Sequence, residues 1–231
     1  MRALRVETVV AERRVCESGS MRTHTVSVHR SWSFGSLALV AVGAVSCGPP
    51  SNSVASENSA RLAYMGLDQA IDKALNLGMQ GFNMATSANI APQMATGAVS
   101  GTLTVGGQVD QGASPNKQMR LTTEFVTYSD GFAASADAGT LRVTYAAGPE
   151  TTPSLNLALR NIPNGTFTGT FVRSLQMSGG LMGTVTLDVS FTGSIRAVSG
   201  SASAIERTPG TTVITGSAVS DYGTYTINIT R

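Results

Sequence analysis

The spacing of apolar residues beyond residue 58 changes once, from a helical period to an alternating one. Between Ser59 and Gly78 the apolar residues recur at intervals of three and four, which is the spacing of one helix face. Ser59 is a suitable N-cap for such a helix, and Gly78 or Gly81 a suitable end. The pattern predicts one amphipathic helix with several small residues on its buried face: Ala63, Leu67, Ala70, Ile71, Ala74 and Leu75.

From Ala98 onward, apolar residues alternate with Thr and Ser, which is typical of antiparallel strands that are wetted on one side. The clearest example has Val185, Leu187 and Val189 on one face and Thr186, Asp188 on the other. Similar runs predict further strands from Ala98 to Val109 and at 119–128, 140–147, 154–162, 166–177, 211–219 and 222–230, with a shorter run at 202–207.

Turn signals separate these runs, so we expect a meander of eight or nine antiparallel strands. Asn164-Gly165 is a strong hairpin signal, and residues 178–180, 208–210 and 220–223 mark other reversals. Because every strand has an apolar face, the sheet must form a sandwich or a barrel, or curl around the helix. Glycines within the strands favour strong curvature: Gly101, Gly107, Gly169, Gly193 and Gly216. The predicted fold is mainly β, with one N-terminal helix packed on the sheet.

A looser apolar stretch runs from Met79 to Met94 and includes Met84. Flexible methionines suit either of two roles, since they fill irregular gaps in a core and also line adaptable apolar pockets. Both interpretations remain open on the sequence alone.

Residues 21–46 have the three-part plan of a secretory signal peptide. Arg22 and Arg30 give a positive start, an apolar run of about twelve residues follows, and small residues close it. As a helix, such a run spans only about 18 Å, less than a bilayer core of about 30 Å. Residues 1–20 have mixed charge and do not fit, so we expect the true start at Met21; a cytosolic regulatory extension is the alternative.

The residues "AVSC", from Ala44 to Cys47, resemble the lipobox of bacterial lipoproteins. The resemblance implies cleavage between Ser46 and Cys47, diacylglycerol on the Cys47 thiol and an acyl chain such as palmitate on the new amino terminus. Two or three acyl chains anchor a protein firmly to a membrane. The lipobox prefers Leu at the position of Ala44, and an ordinary signal peptidase would also accept Ala44 and Ser46. Residues 47–58 then form the lipidated cysteine and a flexible tether, which leaves 59–231 as the folded domain.

The charge balance and the residue composition after Cys47 argue against several kinds of partner and chemistry. Six of the sixteen Lys and Arg residues and three of the fourteen acidic residues precede Cys47, so ten basic and eleven acidic residues follow it. No basic patch for nucleic acid is expected from this balance. His24, His29 and Trp32 also precede Cys47, so the domain lacks a histidine for a Ser-His-Asp triad or a zinc site. No nucleotide-binding fingerprint is present, and no cofactor is expected.

Carboxylates are the remaining candidates for chemistry. Asp130 and Asp137 flank a loop that either binds calcium or is a solvated turn. Glu124 and Asp188 form either an acid–base pair or separate polar positions on strands. Two sequons, at Asn164 and Asn228, carry no expected function.

The sequence therefore predicts a lipid-anchored cell-envelope protein, in the outer membrane if the cell has two, because Gly48 rather than Asp follows the cysteine. Its role is expected to be non-enzymatic, either structural or binding, with a protein or glycan partner that the sequence does not identify. One alternative is a carrier for an apolar ligand, since a curved sheet around a helix resembles in plan the lipoprotein-localisation carriers. A carboxylate-based hydrolase is the other. A filled core, an apolar cavity or two converging carboxylates would distinguish the three.

Overall fold

The computed structural model describes residues 8–17, 20–29, 57–135, 139–201 and 203–231. The chain divides into two compact units, Met1–Pro49 and Pro50–Arg231. In the first unit, β1 (Thr8–Glu17) and β2 (Ser20–His29) form an antiparallel hairpin. Strand β2 covers residues 21–29 of the predicted leader, while its apolar run, Ser46 and Cys47 lie outside the described residues.

The second unit is mainly β, as predicted, with helical structure at its start. Helices α1 (Glu57–Met65) and α2 (Asp68–Met84) precede a single antiparallel sheet. Its strands are β3 (Asn89–Thr96), β4 (Ser100–Val109), β5 (Lys117–Ser129), β6 (Phe132–Ser135), β7 (Gly139–Ala147), β8 (Leu155–Arg160), β9 (Gly165–Gly179), β10 (Gly183–Ala197), β11 (Ile205–Arg207), β12 (Val213–Ser220) and β13 (Gly223–Thr230).

The order across the sheet is that of a meander, β13-β12-β10-β9-β7-β5-β4-β3. Strand β8 occupies the same position as β7, between β5 and β9, while β6 and β11 pair outside this order with β7 and β10. Helix α1 contacts β12 and β13 at one end, and α2 contacts β3 and β4 at the other. The sheet therefore curls around the helical segment, which is one of the three arrangements predicted.

Two glycines show how the backbone permits this curvature. Gly107 and Gly216 have φ angles of 150° and 144°, a region that disfavours side chains. A Cβ atom at either position would lie within 2.3 Å of a backbone oxygen of the neighbouring strand. Both glycines therefore allow close approach of strands at bends, as predicted.

The predicted helix is confirmed in position but is divided at Gly66 and Leu67. A Cβ atom on Gly66 would lie 2.3 Å from the hydroxyl oxygen of Tyr145, so only glycine fits there. That hydroxyl donates a hydrogen bond to the carbonyl oxygen of Ala63 at 2.9 Å. The N–H of Leu67 instead donates to the carbonyl oxygen of Tyr64. The tyrosine thus satisfies a carbonyl at the end of α1 and fixes the break.

The core lies between the helices and the inner face of the sheet. The predicted face of the helical segment is buried throughout, with Leu67, Ile71 and Leu75 fully inaccessible to solvent. Two glycines bring α2 close to the sheet, because Gly78 sits against Leu121 and Gly81 against Ile90. Among the described residues, no helix is long and apolar enough to span a membrane.

Candidate functional site

The sheet is split at its centre, where β7 and β8 share one strand position. Strand β7 pairs with the end of β5 at Phe125 and Tyr128, whereas β8 pairs with the beginning of β5 at residues 117–121. Residues 148–154 connect the two strands and contain Pro149 and Pro153, which cannot donate to a strand ladder. Residues 122–124 of β5 and 173–175 of β9 therefore have no strand partner across this gap.

Arg173 fills the gap from the inner side of the sheet. It follows the apolar positions Phe167 and Phe171 along the inner face of β9, and its side chain is only 7% exposed. Its guanidinium donates to the carbonyl oxygen of Gly148 and forms an ion pair with Glu150. Burial lowers the pKa of Arg173, while the negative charge of Glu124 opposes that shift. The connection between β7 and β8 is thus held by a desolvated cation.

This ion pair is incompletely hydrogen-bonded within the described residues. The Nε atom of Arg173 and the Oε2 atom of Glu150 are both buried without a hydrogen-bond partner there. Unsatisfied buried polar groups are uncommon and costly in folded proteins. The centre of the gap therefore holds one hydrogen-bond donor and one acceptor that no described residue uses.

A second polar contact closes the other side of the gap. The hydroxyl groups of Thr123 and Ser154 lie 2.9 Å apart, and both residues are buried. The Ser154 backbone also bridges the two strands, since its N–H donates to Leu121 and its carbonyl accepts from Val172. The connection is thus fixed at both ends.

Two depressions lie on the outer face of the sheet, one on each side of Pro149. The arginine-side depression has a volume of about 300 Å³ and is lined by Arg173, Ser174, Gln176 and Thr184. We use "split cleft" for the two depressions together with residues 148–150, which separate them.

The glutamate-side depression has a volume of about 200 Å³ and is lined by Thr104, Thr122, Glu124 and Glu150. Hydroxyl, amide, guanidinium and carboxylate groups line the split cleft together with apolar residues, among them Ala146, Leu175 and Pro149. Such a site can bind a polar ligand through several hydrogen bonds. No group of side chains suited to a metal ion occurs in the described part of the chain.

Glu124 and Asp188 do not form an acid–base pair in the structure. Glu124 is on β5 and Asp188 on β10, and the β7/β8 position and β9 lie between them. Three inter-strand spacings place the two backbones about 14 Å apart. Both residues occupy polar-face positions on strands, which was the alternative interpretation, although Glu124 takes part in the split cleft.

Asp130 is buried and paired within the protein, so it is not a solvated turn residue. Its side chain is 4% exposed and forms an ion pair with Lys73 of α2. One carboxylate oxygen also accepts from the Ala98 N–H at 2.9 Å, and the other accepts from the Tyr128 hydroxyl. Protein donors therefore occupy both oxygens, and Asp130 fastens α2 to the sheet. Asp137 lies outside the described residues.

The methionines between residues 79 and 94 do not act together. Met79 is buried in the core, whereas Met84 and Met94 are 63% and 65% exposed. Neither exposed methionine lines either depression of the split cleft. The core-filling interpretation holds for Met79 alone.

Both sequon asparagines are at the surface. Asn164 lies in the turn before β9, and its side-chain oxygen accepts from the Ala197 N–H at 3.0 Å. Asn228 is exposed on β13.

Arg173 and Glu150 were not identified as site residues from the sequence. One signal was present, because Arg173 interrupts the alternating apolar positions Phe167, Phe171, Leu175 and Met177 on β9. An arginine at an inward position requires a buried partner. The identity of that partner depends on the pairing of β7 and β8 with β9, which no local pattern reveals.

Comparison with known proteins gives no relative for this chain: no family model, curated protein or solved structure matches it.

Proposed function

We propose that this protein is a lipid-anchored, non-enzymatic binding protein of the bacterial envelope. Its lipid is attached to Cys47 and anchors the protein to a membrane. In a cell with two membranes, this is the outer membrane. The folded domain binds a polar ligand, such as a glycan or a polar protein segment, on the outer face of its sheet.

The observation that carries the binding role is the contrast between the polar side chains in the split cleft and the apolar side chains buried on the concave side of the sheet. Leu67, Ile71 and Leu75 occupy the concave side of the sheet without exposure, where a carrier would hold an apolar molecule. The split cleft instead presents hydroxyl, amide and charged groups on the convex side. This distribution favours a polar ligand over an apolar one.

A carboxylate-based hydrolase is the second candidate, because Glu124 and Glu150 line the same depression. Two carboxyl groups in one site are what glycoside hydrolysis requires. Glu150 is already committed to the ion pair with Arg173, however, so binding remains the better-supported role. Changing Glu124 to Gln would abolish activity if the cleft were a hydrolase site, whereas a binding site would retain hydrogen-bonding capacity there.

Fatty-acid labelling in cells tests the anchor. Cys47 is the only cysteine of a mature chain that begins there, so Cys47→Ala should abolish incorporation of radiolabelled palmitate. Cys16→Ala is the matched control and should be labelled like the unchanged protein. Undiminished labelling of Cys47→Ala would end the lipoprotein proposal.

A further inference from the structure

Strand β13 is an edge of the sheet, and half of its backbone groups point away from β12. Thr212 and Arg231 exchange two backbone hydrogen bonds, of 3.0 and 2.8 Å. Because such pairs alternate along an antiparallel ladder, the odd-numbered residues of β13 face β12. The N–H and C=O groups of Thr224, Thr226, Asn228 and Thr230 therefore point to the outside. No described strand pairs with this side.

The other edge of the sheet is protected, whereas β13 is not. Strand β3 carries Pro92 and a register shift between Ile90 and Gln93. Prolines and bulges are devices by which proteins prevent unwanted pairing of edge strands. Strand β13 has a regular register over its full length and contains neither proline nor a charged residue. Such an edge is suited to the addition of another strand.

We infer that two copies of this chain associate through antiparallel pairing of their β13 strands. The sequence of β13 is nearly symmetric in character about Ile227, since polar and apolar residues alternate equally on both sides. A two-fold axis at Ile227 pairs Thr226 with Asn228 of the other copy and Thr224 with Thr230, so that all four outward residues form ladder hydrogen bonds. A symmetric interface of this kind uses the same surface on both copies.

Side-chain chemistry supports a second copy as the occupant. In this register, odd-numbered residues of one copy lie opposite odd-numbered residues of the other. Tyr225 of one copy therefore covers Ile229 of the other on the inner face, and both residues are partly buried beside the core. Thr and Asn side chains meet on the outer face, and no like charges are opposed.

The test compares two substitutions of Thr226 in the full chain of 231 residues, kept in one nonionic detergent. Thr226→Pro removes the outward N–H but no bond to β12, whereas Thr226→Val keeps that N–H. Sedimentation equilibrium should show a dimer for the unchanged chain and for Thr226→Val. The dimer of Thr226→Pro should be weakened at least about tenfold, since two symmetry-related hydrogen bonds are lost.

Circular dichroism checks that the proline variant is folded, and Thr224→Pro replaces it if it is not, because Thr224 also directs its N–H outward. A monomeric unchanged chain at about 0.1 mM would overturn the inference. Equal dimerisation of the proline variant and Thr226→Val would overturn it as well.

Discussion

Arg173 has a charge that its position in the sheet does not favour. Its side chain starts on the inner, apolar face of β9, and burial lowers the pKa of Arg173. Arginine nevertheless remains protonated in proteins, so the charge must be compensated locally. Glu150 and the carbonyl oxygen of Gly148 provide this compensation. Both belong to the connection that separates the two depressions, so one residue couples the stability of the sheet to the shape of the split cleft.

Replacing Arg173 alone should therefore destabilise the domain more than replacing both partners. Arg173→Met leaves Glu150 without its cation, and breaking a buried ion pair costs about 3 kcal/mol in the free energy of unfolding. The double variant Arg173→Met, Glu150→Leu removes both charges and should recover most of that loss. Urea unfolding monitored by circular dichroism measures all three proteins.

Arg160→Met is the matched control, since Arg160 is exposed at the end of β8. It should change the free energy of unfolding by less than about 0.5 kcal/mol. Equal destabilisation of the single and double variants would contradict this account, because removal of Glu150 would then recover none of the loss.

The two helices are fastened to the sheet by polar contacts as well as by apolar packing. Asn83 of α2 bonds the N–H and the C=O of Ile205 on β11, both at 2.8 Å. The Tyr128 hydroxyl donates to Asp130, which pairs with Lys73 of α2. The Tyr145 hydroxyl of β7 donates to the Ala63 carbonyl of α1. These contacts place tyrosine hydroxyls at the interface between helices and sheet.

Alkaline conditions should loosen this interface. Burial raises the pKa of Tyr64 to about 12. Burial also raises the pKa values of Tyr128 and Tyr145, with a further contribution from Asp130 to Tyr128. Because the tyrosines of the unfolded chain ionise near pH 10, the unfolded state loses protons first. The contribution of these tyrosines to the free energy of unfolding should be fully present below pH 10. Above pH 10 it should fall by up to about 1.4 kcal/mol per pH unit for each tyrosine.

Tyrosinate absorbance and circular dichroism, followed together from pH 8 to 13, measure this effect. Fewer tyrosines than the five in the chain should ionise near pH 10, and the rest should ionise as the structure is lost. Tyr145→Phe should make the decline in stability above pH 10 shallower. Ionisation of all five near pH 10 in a chain that keeps its native spectrum would contradict this account.

Elements with a regular period could be predicted from the sequence, and irregular ones could not. The alternation of β10 and the helical face around Ile71 depend on local spacing, and both are confirmed. Strand β3 was missed because Pro92 and the register shift break its alternation, so that Ile90 and Gln93 are its buried residues. The break at Gly66 depends on Tyr145, which is distant in sequence and adjacent only after folding.

At the scale of the whole molecule, local sequence patterns likewise do not predict the split cleft. Glu124 was identified from the sequence as a possible acid, but its charged neighbours are Glu150 in the connection after β7 and Arg173 on β9. Their proximity results from two strands sharing one position in the sheet, and no local pattern encodes that. The absence of histidine from the domain, in contrast, could be read directly from the sequence.

At this scale the apolar side chains buried between the helices and the sheet support the proposed binding role over the carrier role. The helical segment occupies the concave side of the sheet, and Leu103, Leu121 and Leu187 pack there without exposure. Protein interiors of this kind pack at a density of about 0.74 and leave little room for a ligand. A carrier would instead need an apolar pocket of about 300 Å³ or more inside the domain.

Native mass spectrometry of residues 48–231, produced without signal or lipid and purified gently, tests this claim most directly. We predict a protein with a predominantly β circular-dichroism spectrum and the mass of the polypeptide alone. A lipid or other apolar molecule bound in stoichiometric amount would contradict the account.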